Sequence, residues 1–353
     1  VQFREPPCLN LWLMCAMASV GAPSLCALTL FNDDYDVGFL CGAVNACYCA
    51  RHGYQLHVLV LTQAEMQALC AGRHFAWAKV ALLRWLLSED EAEADAAVGP
   101  EAASVLRSRI DAGARAAIRG ADWVVWLDAD LMVVNHLRRL EDFPGFREKD
   151  LVLGEDMADL DWLNTGLVAC RSSSAWCRSL WSRVWEEGAG DFHQGEFWDQ
   201  SALCGCLAAW GEFQPTVIGG KKTEAPAAKA PWFSWQGGPK FKSTEHMQVL
   251  NSGAFQTNNP KFAHFAFHAA GMKDKARCCR FVVESGALQG LRLPPSGPEA
   301  AAAFAAALLG AAAVRCARPR GLEVGRGEPR ASGSATARPR GFEVGGGEPA
   351  DGE

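Results

Sequence analysis

The stretch Trp123-Val-Val-Trp-Leu-Asp-Ala-Asp-Leu-Met-Val-Val134 constrains this chain more than any other. It is a run of apolar, β-favouring residues broken by two aspartates, Asp128 and Asp130, spaced i and i+2. A strand buried on both faces reads as such a run. Two carboxylates at its end cannot both stay charged and unpaired in a low-dielectric interior. A divalent cation is the usual counter-charge. The pattern predicts an Asp-x-Asp metal site at the mouth of a sheet, where open α/β folds bind ligands.

The flanking segments alternate strand and helix. Residues 27–31 read as a strand, 39–51 as a helix and 54–61 as a second strand, the rhythm of a βαβ unit. Residues 76–87 read as a helix with Ala76, Val80, Leu83 and Leu87 on one face. The acidic, Ala-rich stretch 88–104 reads as a solvated loop. Residues 105–119 read as one amphipathic helix with Arg107, Arg109, Arg115 and Arg119 outside. Strands are expected at 151–154, after the Asn164-Thr-Gly166 turn, and at 262–271, leaving the core through His268. Helices are expected at 174–187 and 198–210, and a long loop at 219–245.

From Pro6 to Asn32 no residue is charged. The segment 1–22 fits either a trimmed signal anchor or a plain buried segment, and the anchor is preferred. A domain over 23–293 follows. Beyond it, 294–353 holds an Ala-rich helix and two tandem Gly/Pro/Arg copies beginning at Ala317 and Ala337. Two such copies bury no core, so this stretch reads as a disordered tail.

With 353 residues, 49% of them hydrophobic, the chain can bury a large core. The net charge of −6 argues against a nucleic-acid binder, which would carry a basic face. Fourteen cysteines contain no pair of C-x-x-C motifs, which speaks against a zinc ribbon. Most read as small buried thiols, with Cys278 or Cys279 the candidates for a disulfide.

Asp-x-Asp alone is a weak signal, but it stands in an ordered set. Ala76-Trp-Ala-Lys79 precedes it. Asn164-Thr-Gly166, a strand ending in Arg171, Trp198-Asp-Gln-Ser-Ala-Leu203 and His268-Ala-Ala-Gly-Met-Lys273 follow. Over about residues 25–280 this set resembles the nucleotide-sugar glycosyltransferases of the GT-A type, in particular the fungal and plant Golgi family of galactosyl-, mannosyl- and xylosyltransferases. The resemblance implies an α/β GT-A fold, a Rossmann-like mixed sheet flanked by helices in a single catalytic domain. It implies retaining transfer of a hexose or pentose from a nucleoside-diphosphate sugar to a glycan or glycoprotein acceptor. It also implies a lumenal enzyme of Golgi or secretory-pathway membranes.

Residue by residue, the resemblance makes Asp128, Asp130 and His268 the metal ligands. Mixed carboxylate and imidazole ligation suits Mn²⁺ better than Mg²⁺. Asp128, Lys273, Gly271 and Lys79 would meet the donor, and Asp199, Gln200 and Asn164 would face the sugar. Each position also has a plainer reading. Asn164 could cap its turn. Asp199 could cap a helix. Lys79 could snorkel. His264 is a rival ligand to His268. Asp199, Glu155 and Asp156 are the carboxylates open to a nucleophilic role, with front-face attack as the other route. The chain departs from the family at Glu196-Phe-Trp-Asp-Gln200, at the acidic insert and at the lysine-bearing loop. Two rival functions remain, a haloacid-dehalogenase-like phosphatase and a non-catalytic sugar-nucleotide-binding protein.

Overall fold

The computed structural model describes residues 23–156, 162–186, 197–212, 217–218, 221–222 and 241–290. The expected N-terminal anchor, the tail and most of the loop at 219–245 lie outside them. Among the described residues no helix is long and apolar enough to cross a membrane.

The apolar run forms β3 (Trp123–Leu127), the third strand of a six-stranded mixed sheet. β1 (Leu25–Asn32) pairs parallel with both β2 (Gln55–Leu61) and β3. β6 (Leu163–Arg171) runs antiparallel to β3 and to β5 (Leu151–Glu155), and β9 (Met247–Leu250) closes the order β2-β1-β3-β6-β5-β9. A smaller sheet joins β10 (Gln256–Thr257), β11 (Ala266–His268) and β4 (Leu131–Val133), and β7 (Val217–Ile218) pairs antiparallel with β8 (Lys221–Lys222). The mixed α/β class expected from the sequence is what the chain adopts.

β3 is apolar throughout because it faces two cores. Val124 and Trp126 enter one cluster, while Trp123, Val125 and Leu127 enter the other. The first core is filled from α2 (Gln63–Cys70), α3 (Ala78–Leu87) and the helices of the 91–120 region, among others. The second is covered by α1 (Asp36–His52) and the small sheet.

Residues 88–104 are not a loop. α4 (Glu91–Val98) starts at Asp90, whose carboxylate accepts from Glu93 N at 2.8 Å. α5 (Pro100–Arg109) follows with Pro at its first turn, a favoured place for it. Ala94, Ala102, Ala103 and Leu106 are buried by the pair, so the alanines are core contacts rather than solvated filler. The single helix expected at 105–119 is also broken. Asp111 caps α6 (Ala112–Gly120) by accepting from Ala114 N at 2.7 Å. Arg115 is buried rather than outside, donating to Trp85 O at 3.0 Å and Asp90 O at 3.2 Å. The later helices α7 (Ala175–Glu186), α8 (Trp198–Ala209), the short α9 (Ser252–Phe255) and α10 (Lys275–Glu284) complete the layers. The described cysteines are free thiols; Cys279 Sγ lies 3.8 Å from Cys41 Sγ.

Candidate metal and donor site

The pairing pattern brings distant residues to the C-terminal end of β3. The β3–β6 register ends at Leu127 opposite Leu167, and Asp128 N then donates to Gly166 O at 2.7 Å. Asp128 therefore leaves the sheet beside the Asn164-Thr-Gly166 segment. β4 pairs with β11 so that Leu131 faces His268, and Ala269 N donates to Asp130 O at 2.9 Å. Asn45 on α1 holds β4 from behind, donating to Leu131 O and accepting from Val133 N, both at 2.9 Å.

These contacts assemble Asp128, Asp130 and His268, each with one ligand atom within 4.8 Å of the others. His268 Nε2 lies 3.4 Å from Asp128 Oδ2 and 3.3 Å from Asp130 Oδ1. His264 is exposed on the surface, so the choice between the two histidines falls to His268. A glycine at 166 is a spatial need, because a Cβ there would fall on Cε1 of the His268 ring. Two carboxylates and an imidazole at this separation suit a divalent transition ion such as Mn²⁺.

Without an ion, protons and amines balance the charge. Burial would lower the His268 imidazolium, but Asp130 and Asp128 raise it to about 9. Burial would raise Asp130, yet His268 and Lys275 hold its carboxyl far below the usual range. Lys275, at the start of α10, places Nζ 2.6 Å from Asp130 Oδ2. Lys273, the expected phosphate contact, is exposed and does not reach the carboxylates. Gly271 takes φ +71 with nothing around its would-be Cβ, so its visible role is backbone shape.

Lys79 does not snorkel to the surface. It is 3% exposed, and its Nζ meets Asp128 Oδ1 at 3.1 Å, Asp199 Oδ2 at 2.9 Å, Thr165 O at 2.9 Å and Thr165 Oγ1 at 3.0 Å. An ammonium has three protons, and four acceptors already surround this one. It ties Asp128, Asp199 and Thr165 together. Burial would lower Lys79, but Asp128 and Asp199 raise it above its ordinary value. Trp126 Nε1 also donates to Asp128 Oδ1, at 2.6 Å, leaving Oδ2 turned to His268. Asp199 is buried, accepts from Thr165 Oγ1 at 2.9 Å, and has its carboxyl pushed up by that burial against the pull of Lys79.

Asn164 caps its turn, as its plainer reading has it, and also reaches His268. Its Oδ1 accepts from Gly166 N at 2.8 Å, the turn-capping bond, and lies 3.2 Å from His268 Nδ1. Its Nδ2 donates to Asp156 Oδ2 at 3.1 Å, and Gln200 Nε2 donates to the same oxygen at 3.1 Å. Glu155 points elsewhere, accepting from Asn251 Nδ2 at 3.2 Å. Sequence reasoning missed Lys275 and Thr165. The Asp274 cap of α10, accepting from Arg277 N at 2.9 Å, is the local signal that sets Lys275 at a helix start.

No family model matches the sequence, and no curated protein matches it. Among the solved structures that align with it are three glycosyltransferases. A glycosyltransferase involved in the glycosylation of the major capsid of PBCV-1 is 12% identical, with a TM-score of 0.42 over 74% of this chain and 100% of that one. The glycosyltransferase GlyE of Streptococcus pneumoniae TIGR4 is 11% identical, with a TM-score of 0.34 over 77% of this chain and 66% of that one. The bifunctional glycosyltransferase WbbM is 11% identical, with a TM-score of 0.35 over 80% of this chain and 54% of that one. The chain thus spans just under two thirds of GlyE and about half of WbbM. Likeness at this level carries no argument about function, which rests on the site.

Proposed function

We propose that this chain is a metal-dependent retaining glycosyltransferase that moves a hexose or pentose from a nucleoside-diphosphate sugar to a glycan or glycoprotein acceptor. The observation that carries the reading is the Asp128, Asp130 and His268 cluster at a strand end, with the buried carboxylate of Asp199 held against its rear by Lys79. A divalent cation held by the three would neutralise charge gathering on the leaving diphosphate. Asp128 presents Oδ2 to that position because Lys79 and Trp126 occupy Oδ1. Asp199 supplies negative charge where the sugar becomes cationic as its bond to phosphate breaks. Gln200 lies beside it on the first turn of α8.

The phosphatase alternative needs Asp128 as a nucleophile; Lys79 and Trp126 hold its Oδ1 and leave Oδ2 for either role, so the reaction itself separates the two readings. Placement in the Golgi or secretory pathway, with 1–22 as a membrane tether, is part of the proposal and is supported by the uncharged stretch and the motif order alone.

The test is release of nucleoside diphosphate from UDP-Gal, UDP-Xyl, UDP-Glc and GDP-Man with Mn²⁺. One donor should be hydrolysed, and Asp130→Ala should abolish that turnover. Undiminished turnover in Asp130→Ala, or Mg²⁺-dependent hydrolysis of p-nitrophenyl phosphate lost in Asp128→Asn, would sink it.

A further inference from the structure

Metal-bound imidazoles need their second nitrogen fixed, because the hydrogen bond it makes decides which nitrogen keeps the proton. The surroundings of His268 supply that bond through a chain of three side chains. Asn164 is 2% exposed, and both ends of its amide are assigned by partners of one kind only. The backbone N–H of Gly166 can only donate, so the atom it meets at 2.8 Å is the amide oxygen. The Asp156 carboxylate accepts, so the atom 3.1 Å from its Oδ2 is the amide nitrogen. The oxygen facing His268 Nδ1 at 3.2 Å must then receive a proton from the ring.

We propose that Asp156 is a positioning residue, which through Asn164 keeps a proton on His268 Nδ1 and so leaves Nε2, the nitrogen facing Asp128 and Asp130, as the one a bound ion would take. This rests on the metal reading of the cluster. Asp156 touches none of the three ligands in any hydrogen bond described above. Its Oδ2 also accepts from Gln200 Nε2 at 3.1 Å, so the same oxygen holds a residue of the proposed sugar side. Losing that oxygen leaves Gly166 N alone to orient the amide, so that Nδ2 faces the ring in a fraction of molecules. The ring would then meet a donor at Nδ1, carry its proton on Nε2 and lose its ligand lone pair.

The test uses the full chain and Mn²⁺ alone, with the free ion followed by electron paramagnetic resonance. Outer-shell partners of metal-bound histidines are worth roughly 10–100-fold in affinity. Asp156→Ala should weaken Mn²⁺ binding about tenfold, the low end, since Gly166 N still holds one end of Asn164. Asp156→Asn retains an acceptor oxygen and should stay within about twofold of wild type. A loss in Asp156→Asn equal to that in Asp156→Ala would overturn the proposal, because charge rather than the acceptor would be at work.

A second readout needs no variant. In Cd²⁺-loaded, ¹⁵N-histidine-labelled wild type, long-range ¹⁵N–¹H correlations should show His268 protonated at Nδ1 and metal-bound at Nε2. The opposite assignment overturns the proposal even if Asp156→Ala does not fold. Unchanged affinity in Asp156→Ala does the same. Failure of the underlying reading looks different: wild type would bind no Mn²⁺, or Asp130→Ala would bind it as well as wild type does.

Discussion

Lys275 Nζ sits 2.6 Å from Asp130 Oδ2, on a carboxylate that a metal ion would use. The lysine is a third exposed and its partner is almost sealed. In the metal-free protein it supplies part of the charge an ion would bring. Metal and ammonium therefore compete for one group, and anything that binds one state better shifts the balance by mass action. Lys275→Gln should tighten Mn²⁺ binding in the absence of a sugar donor by about fivefold, on the scale of such a competition. Free-Mn²⁺ titration checks this, and weaker binding in the variant would refute it.

Gly166→Ala isolates the space needed by the His268 ring. The added Cβ would lie on Cε1 of that ring and 2.9 Å from Asn164 Oδ1, and the site is packed on all sides. Overpacking of this sort costs about 1–3 kcal/mol. The variant should fold with a lower melting temperature and lose Mn²⁺ binding by at least about tenfold, since ring orientation sets ligand strength. Retention of full affinity would show that the ring does not need that space.

The end of the apolar strand was legible because the signal is local. Trp123–Leu127 is buried on both faces, and any residue breaking such a run is conspicuous. The grouping of Asp128 and Asp130 with Asn164 and His268 came only through the resemblance, since it depends on the β3–β6 and β4–β11 registers. Lys275 carried no signal in the motif, because its approach to Asp130 depends on the helix start at Asp274. Residues 88–104 misled for a different reason. Alanine and glutamate carry almost no apolar contrast, so the stretch shows no face, although both are strong helix formers. Arg115 was placed outside because arginine usually is, yet two carbonyls and the Trp85 ring receive it.

His136 gives a pH prediction independent of any ion. It is fully buried, with Nε2 3.0 Å from Val133 O, and burial lowers its imidazolium to about 4. In the unfolded chain the value is near 6.5. The folded state thus favours neutral His136. Its contribution is complete above about pH 6.5 and is lost as pH falls toward 4. The full difference is on the order of 2–3 kcal/mol. Urea denaturation at pH 7.5 and 4.5 should show a smaller acid loss in His136→Gln, which cannot take the proton. Parallel acid loss in both proteins would count against it.

Asn45 tests how β4 is held. Its amide satisfies Leu131 O and Val133 N on either side of Met132, both in a buried setting. Asn45→Ala leaves a buried carbonyl and a buried N–H unpaired, at about 1–3 kcal/mol each. A melting temperature drop of several degrees is expected, together with weaker Mn²⁺ binding, because Asp130 immediately precedes β4. A thermal scan within a degree of wild type would show that water or a shifted strand replaces the amide.

Lys79 is the strongest internal coupling in the site. Its ammonium lies between Asp128 and Asp199, and all three groups are shielded to different degrees, Lys79 and Asp199 most. Removing one member of a buried ionic group leaves the others uncompensated, typically at about 3–5 kcal/mol. Lys79→Met should therefore destabilise the fold on that scale and weaken activity. Asp199→Asn in the same chain removes the carboxylate most deeply exposed to the loss, and should recover part of the stability but none of the turnover. The two readouts separate the roles of the pair. If the double variant is no more stable than Lys79→Met alone, Asp199 is not held by that ammonium, and its orientation must come from Thr165 Oγ1 instead.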